Sequence, residues 1–392
     1  MKAIINTKLI MEDGIIFDGV VLFENGIIIA ADRADKVTVP DDCEIIDARG
    51  NYTAPGLIDI HCHGAVEQNF NENPTACAEH FLRHGETTVL PTFYMTESLE
   101  DMLDGAKRIS EASSHGAGKI MDGLYMEGPY MNNTGSFRNN CSWPSEIRAE
   151  DYKILVKKLG HIARVWAIDP LREGIDAFME YTHKECPDAI FALGHSGATA
   201  EDCRRVAKYG VRVQTHHSNS GKAPGFAQGT FGAGCDEYTL YNPDMYAELI
   251  CDEIGIHVVP DKIKLIIRTK GVEKIILISD SMASRGNYKN NEALGISYGP
   301  DLNYDDEGRL AGSHLTLDNA CRNVMTHTGY GLCHAIRMAT INPARLLRID
   351  DKVGSLEKGK KANIIIIDDM VRIKKVFLEG ELMVDNQQGC VQ

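Results

Sequence analysis

The stretch that decides the fold is an apolar run ending in two histidines, Leu57-Ile58-Asp59-Ile60-His61-Cys62-His63-Gly64. In an extended segment, residues two apart point to the same side, so the imidazoles of His61 and His63 can face one metal ion. An isolated His-x-His motif is a weak signal, because a single histidine is more often a surface or core residue than a ligand. Its weight therefore depends on what stands at the ends of other strands.

Seven further apolar runs follow, separated by stretches with helical periodicity. Repeated units of buried parallel strand and helix form either an open doubly wound sheet or a closed barrel. Eight units fit the barrel, and no glycine-rich nucleotide-binding motif follows the first run, which disfavours the open sheet. We therefore predict an α/β protein with a TIM-like (β/α)8 barrel. Its strands should include residues 57–60, 87–91, 123–126, 164–168, 189–193, 211–215, 249–251 and 275–278.

Five of these runs end in residues that bind metals or move protons. The C-terminal ends of barrel strands converge on one mouth, where catalytic groups lie. Nitrogen and carboxylate ligands around an open position suit a hydrolytic Zn²⁺ or similar ion, which lowers the pKa of water and polarises a carbonyl. Each side chain alone has an ordinary structural explanation, but their coincidence at five strand ends predicts a joint site. Its candidates are His61, His63, Glu127, His195, His216 and Asp280.

The two ends of the chain differ in texture from its middle. Residues 1–52 and 346–392 hold short strand-like runs, joined in the first segment by the hairpin turn signal Glu24-Asn25-Gly26. We predict that these two segments meet in one small β-sandwich domain. Residues 53–345 are left for the catalytic barrel.

Composition narrows the class of partner. The chain has 392 residues, 41 of them basic and 56 acidic, for a formal net charge of -15. The negative potential of such a chain repels nucleic-acid phosphates and anionic membranes, so neither is an expected partner, whereas a local pocket can still accept an anionic substrate. The 11 cysteines include no C-x-x-C pair, and the first residues lack the apolar core of a signal peptide. A cytoplasmic protein with reduced thiols is the expectation.

The chain resembles the N-acetylglucosamine-6-phosphate deacetylase family of the amidohydrolase superfamily over nearly its whole length. Two of the matching stretches, 339–344 and 354–363, are common across that superfamily and support the fold more than the substrate. The more specific stretches are Ala54-Pro55-Gly56-Leu57-Ile58-Asp59-Ile60-His61-Cys62-His63-Gly64, Met126-Glu127-Gly128-Pro129, Gly194-His195-Ser196, Thr215-His216 with Asn219, Ser279-Asp280 and Leu310-Ala311-Gly312-Ser313.

This resemblance implies a divalent metal, Zn²⁺ above others, and a role for each candidate. The ligands implied for the main ion are Glu127, His195 and His216. His61 and His63 would hold a second ion where family members are binuclear. Asp280 would be the base that activates water and then the acid that protonates the departing amine. The family also implies a homodimer.

Substrate-binding residues are implied in the same way, with two departures from the family pattern. His257 and Asn219 match a histidine and an asparagine at the substrate, and the backbone of residues 311–313 (Ala311, Gly312, Ser313) would line the sugar pocket. Asn139 stands where many members have a His or Gln that touches the substrate carbonyl. Lys222 stands near the place of a phosphate-binding arginine, and a lysine does not reproduce the two-pronged grip of a guanidinium.

These departures leave the substrate open. The resemblance implies removal of the N-acetyl group of an amino sugar, foremost N-acetylglucosamine 6-phosphate. Another N-acylated sugar, an acyl amino acid or a cyclic amide would use the same fold and metal chemistry. A non-catalytic scaffold on this fold is a further alternative, but such a protein would be expected to have lost ligands or the base.

Overall fold

The computed structural model describes residues 1–65, 67–132, 143–144, 146–222, 224, 229–283, 299–305 and 308–386. In chain order, the strands are β1 (Lys2–Met11), β2 (Gly14–Glu24), β3 (Ile27–Arg33), β4 (Glu44–Asp47), β5 (Tyr52–Pro55), β6 (Leu57–Cys62), β7 (Gly64–Ala65), β8 (Gln68–Asn69), β9 (Glu86–Tyr94), β10 (Leu124–Glu127), β11 (Ala163–Ile168), β12 (Ile190–Leu193), β13 (Val211–Gln214), β14 (Tyr246–Ile250), β15 (Ile275–Ile278), β16 (Leu302–Tyr304), β17 (Leu310–Ser313), β18 (Ile364–Ile367), β19 (Ile373–Leu378) and β20 (Glu381–Asp385). The α-helices are α1 (Pro74–Arg83), α2 (Leu99–Ala112), α3 (Ala149–Leu159), α4 (Ile175–Glu185), α5 (Ala200–Val206), α6 (Cys235–Tyr241), α7 (Pro260–Lys270), α8 (Leu317–Thr328), α9 (Leu332–Met338) and α10 (Ile341–Leu347).

Eight parallel strands form the predicted barrel, in the order β6, β9, β10, β11, β12, β13, β14 and β15. The segment that follows β15 meets the end of β6, where Asp280 N donates to His61 O at 2.9 Å and His63 N donates to Ser281 O at 2.7 Å. Most residues of these strands are buried, because helices cover the outside and side chains fill the inside. Strands buried on both faces appear in a sequence as continuous apolar runs. The predicted fold class is confirmed.

Local sequence starts several of the covering helices. Ser98 before α2 and Thr199 before α5 each exchange hydrogen bonds with an aspartate three residues later. Such a capping box satisfies backbone N–H groups that have no partner within the helix. Asn73 caps α1 by accepting from Ala76 N, and Pro74 follows at the first helical position. Among the described residues, no helix is at once long enough and apolar enough to cross a membrane.

Both termini contribute to one further sheet of eight strands. Its order is β20, β19, β18, β5, β1, β2 and β3, with β4 also paired to β1. Phe23 of β2 and Phe377 of β19 lie four strands apart in this order, yet their rings meet edge to face with centroids 5.8 Å apart. Since four strand spacings span roughly 19 Å, the sheet must fold back on itself around a small core. The division of the chain at 52/53 and 345/346 remains our proposal. The strand β5, which begins at Tyr52 and ends at Pro55, belongs to the terminal sheet and so crosses the first of these boundaries.

Gly56 links the terminal sheet to the barrel at a point with no room for a side chain. Its N–H donates to Asn363 O at 2.9 Å, and an added Cβ would overlap the buried side chain of Thr87. We expect Gly56→Ala to lower the free energy of unfolding by about 1–3 kcal/mol, because overpacking forces neighbours apart. Urea unfolding followed by circular dichroism measures the change.

Gly14→Ala is the matched control, since an added Cβ there meets no atom within 4 Å. Its effect should stay within about 0.5 kcal/mol. Equal stability of the two variants would contradict the close approach seen at Gly56.

Candidate metal centre at the barrel mouth

Six side chains from five strand ends meet at one mouth of the barrel. His61 lies on β6 and His63 just after it, and Glu127 is the last residue of β10. The other three side chains each follow their strand by two residues; these are His195 after β12, His216 after β13 and Asp280 after β15. All six residues are at most 8% exposed. The structure therefore brings together every residue of the predicted joint site.

The carboxylate of Glu127 is shared by two groups of histidines. Its Oε1 lies 2.9 Å from His216 Nε2 and 3.1 Å from His195 Nε2. Its Oε2 lies 3.2 Å from His63 Nε2 and 3.8 Å from His61 Nε2. We call Glu127, His195 and His216 the first triad and Glu127, His61 and His63 the second triad. Within each triad the ligand atoms all lie within 4.8 Å of one another, which allows them to hold a metal ion.

Asp280 lies against the second triad rather than the first. Its Oδ1 is 3.2 Å from His63 Nε2 and 3.5 Å from His61 Nε2. Three site residues have positive φ angles, with 46° at His195, 27° at His216 and 49° at Asp280. Residues other than glycine rarely adopt this backbone conformation, and it persists only where the surrounding structure fixes it. Here the turn after each strand aims its side chain into the mouth.

The site keeps its two carboxylates ionised in spite of burial. Burial alone would raise the pKa of Glu127, but the charge of His61 and hydrogen bonds such as that from His195 hold it well below its usual range. Burial likewise acts to raise the pKa of Asp280, but a hydrogen bond from His63 and the charges of His61 and His63 together lower it. Burial lowers the pKa of His63, yet hydrogen bonds to the two carboxylates raise it to about 9. Two buried anions that need positive charge suit a cation.

The remaining ring nitrogens of three histidines face acceptors outside the mouth. His61 Nδ1 lies 3.2 Å from Glu248 Oε2. His63 Nδ1 lies 3.1 Å from the carbonyl of Thr92, and His216 Nδ1 lies 3.2 Å from the carbonyl of Asn219. Because an acceptor holds a proton on Nδ1, Nε2 is the nitrogen of each ring that can give up its proton and bind a cation. Metal-binding histidines are commonly oriented in this way.

The donor set fits a divalent cation by its chemistry and by one orphaned atom. His61 Nε2 is buried and has no hydrogen-bond partner among the described residues, although it faces the oxygens of Glu127 and Asp280. A buried polar atom left unpaired is costly unless something else occupies its lone pair. Imidazole nitrogens and carboxylate oxygens are ligands of zinc and similar ions. The described residues can thus bind a metal.

A small cavity opens above the two triads. Four of the predicted substrate residues line it, namely Asn219, His257, Ala311 and Gly312. His257 is held by Asp252, whose Oδ2 lies 3.1 Å from its Nδ1 and accepts from its backbone N at 2.8 Å. The cavity therefore has polar groups close to the metal centre.

The remaining predicted substrate residues lie elsewhere. Ser313 is fully buried, and its hydroxyl donates to Ser279 O instead of lining the cavity. Lys222 lines an adjoining cavity, which shares Asn219 with the first. Asn139 lies outside the described residues.

Sequence reasoning missed several residues around the mouth. Tyr94, Ser220, Met282 and Leu310 also line the cavity, and the ring of Tyr94 packs 4.8 Å from that of His63. The position of Tyr94 at the end of β9 could have been noticed, since its neighbours on the barrel supply ligands from the same place. Glu248 was missed as well, because the apolar run assigned to its strand began at Leu249.

The fold and the site together define a hydrolase with a (β/α)8 barrel and a candidate metal centre at the mouth of the barrel. The chain belongs to the amidohydrolase family, whose profile matches residues 52–391. Similar proteins include N-acetylgalactosamine-6-phosphate deacetylase of Escherichia coli O157:H7, which is 29% identical over 96% of this chain and 97% of its own. N-acetylglucosamine-6-phosphate deacetylase of Haemophilus influenzae is 26% identical over 97% and 98% of the two chains.

Solved structures share the fold. The crystal structure of N-acetylglucosamine-6-phosphate deacetylase from Pasteurella multocida superposes with a TM-score of 0.83, at 24% identity and with 97% of this chain and 99% of the other covered. The corresponding enzyme of Thermotoga maritima gives a TM-score of 0.79 at 22% identity, with 98% and 100% covered. The barrel and the terminal sheet therefore recur together in these proteins.

If both triads share the carboxylate of Glu127, variants of the two triads should differ in metal content. Glu127→Ala should empty both triads, because both depend on this side chain, whereas His63→Ala should spare the first triad and keep about one ion per chain. Elemental analysis of dialysed protein, after loading with Zn²⁺, measures the content. Glu86→Gln is the control, since Glu86 is fully buried but belongs to neither triad. A full metal content in Glu127→Ala would show that the carboxylate is not shared.

Proposed function

We propose that this amidohydrolase removes the N-acetyl group of an amino sugar, foremost N-acetylglucosamine 6-phosphate, to give the free amine and acetate. The observation that carries the proposal is the carboxylate of Glu127 between the two histidine groups, with Asp280 beside it and a polar cavity above. The names of the full-length relatives support the acetamido sugar phosphate as substrate class. We propose Zn²⁺ as the ion, from its preference for nitrogen and oxygen ligands.

A divalent cation held by Glu127 and the histidines of the two triads would lower the pKa of water and polarise the acetyl carbonyl. The residues of the chain transfer the protons and orient the substrate. Asp280 takes a proton from the attacking water and returns it to the amine nitrogen as the C–N bond breaks. Its ionised state at neutral pH suits the first of these steps. Acetate then carries the added oxygen, and the sugar leaves with its free amine.

Substrate placement follows from the two adjoining cavities. His257 and the backbone of Ala311 and Gly312 border the cavity at the metal centre, and we propose that they orient the sugar. Asn219 borders both cavities, and Lys222 lies in the second. We propose that the phosphate reaches toward Lys222, whose ammonium acts as a point charge. A homodimer and a cytoplasmic location also remain our proposals.

A panel of acetylated compounds tests the substrate class. Acetate release should be fastest with N-acetylglucosamine 6-phosphate or its 4-epimer, N-acetylgalactosamine 6-phosphate, and slower with the unphosphorylated sugars. An N-acetyl amino acid and a cyclic amide serve as controls for the other chemistries that this barrel supports. All assays contain added Zn²⁺. If no acetylated sugar is cleaved, the proposed function is wrong.

Asp280→Asn tests the proton-transfer step. The amide cannot accept a proton from water, so we expect kcat for acetate release to fall about 10²–10⁴-fold, while the metal content of the variant stays at the wild-type value. Asp318→Asn is the control, because Asp318 is also a buried aspartate but contacts His84 and Arg322 instead of the site. Near-normal turnover in Asp280→Asn would remove this residue from the mechanism.

A further inference from the structure

Glu248 is a buried carboxylate of β14 to which the proposed mechanism assigns no role. It is fully buried and does not line the cavity above the metal centre. It therefore cannot touch a substrate there. Burying a carboxylate is costly unless its oxygens find hydrogen-bond donors, so its partners indicate what it does.

Those partners belong to both triads. Glu248 Oε2 lies 3.2 Å from His61 Nδ1 and accepts the backbone N–H of His216 at 3.1 Å. Its backbone carbonyl accepts from His217 N at 2.8 Å. One side chain on the seventh barrel strand thus holds a ligand from the first strand and the turn that carries a ligand from the sixth.

The contact with His61 fixes which nitrogen of that ring can bind a cation. The oxygen that faces His61 Nδ1 already accepts the backbone N–H of His216, so this oxygen acts as an acceptor; His61 therefore carries its proton on Nδ1 and leaves Nε2 as the atom that can bind a cation. That Nε2 faces Glu127 and Asp280 at 3.8 and 3.5 Å. The ring is also stacked on Tyr125, with centroids 4.5 Å apart. Stacking holds the plane of the ring but does not choose between its two nitrogens.

We propose that Glu248 is a positioning residue that fixes the tautomer and orientation of His61 and so sets the affinity of the second triad for a divalent cation. The inference rests on the metal centre of the proposed function but not on the identity of the substrate. The first triad depends on Glu248 less, because the ring of His216 has its own acceptor in the carbonyl of Asn219 at 3.2 Å. Loss of Glu248 therefore affects the two triads unequally.

Titration of the metal-free protein with Co²⁺, followed by its visible absorption and by calorimetry, tests the proposal. His63→Ala identifies the phase that belongs to the second triad. In Glu248→Ala this phase should weaken about 10–100-fold, the usual effect of removing a partner of a metal-binding histidine. Glu248→Gln keeps a neutral acceptor and should weaken the same phase by about tenfold or less. The phase of the first triad should change less in both variants.

Two controls separate positioning from a general loss of structure. Glu86→Ala removes another fully buried carboxylate, one that accepts from Leu317 N and touches none of the ligands, and should leave both phases unchanged. In a His61→Ala background, Glu248→Ala should add no further loss, because the two residues act through one contact. Should Glu248→Ala fail to fold, Glu248→Gln decides alone.

Several results would overturn the proposal. Unchanged Co²⁺ affinity in the folded Glu248 variants is one, and an equal loss at both triads is another. A wild-type titration with one phase that His63→Ala leaves intact also overturns it, since His61 then holds no ion. None of these measurements uses an acetylated sugar. A chain that shows the expected Co²⁺ behaviour but releases no acetate refutes the proposed function and leaves the role of Glu248 standing.

Discussion

The sharing of one carboxylate between two pairs of histidines is the interaction on which the site depends. Each oxygen of Glu127 faces a different pair, at 2.9–3.1 Å on one side and 3.2–3.8 Å on the other. Without Glu127, the two buried pairs of imidazoles would lack a common anion. A cation on either side satisfies these groups at once, which is why charge, burial and geometry all favour the same chemistry.

The barrel makes this arrangement possible because it collects strand ends that are distant in sequence. Glu127 and His216 are 89 residues apart, and His61 and Glu248 are 187 apart. Left-handed backbone at His195, His216 and Asp280 turns these side chains inward. Such conformations cost free energy, on the order of 1–3 kcal/mol each, and the surrounding packed strands must supply it. The barrel is thus less stable than it would be without these three conformations, which place the side chains at its mouth.

Much of this could be predicted from the sequence, for identifiable reasons. The barrel strands were recognisable because burial on both faces leaves uninterrupted apolar runs, and the six candidate side chains followed those runs directly. Glu248 was missed because it interrupts such a run, and its strand begins at Tyr246, before the predicted start at Leu249. The meeting of Phe23 with Phe377 depends on the curvature of the whole terminal sheet. Single sequences carry little information about pairings across such distances.

The most direct test of the shared carboxylate is anomalous X-ray diffraction from crystals grown with Zn²⁺, measured above the zinc absorption edge. The account predicts a strong peak at about 2.0–2.2 Å from an oxygen of Glu127 and from the Nε2 atoms of His195 and His216. A second peak between Glu127, His61 and His63 would show that the other oxygen is used as well. Ordered side chains that hydrogen-bond to one another with no peak between them would contradict the account.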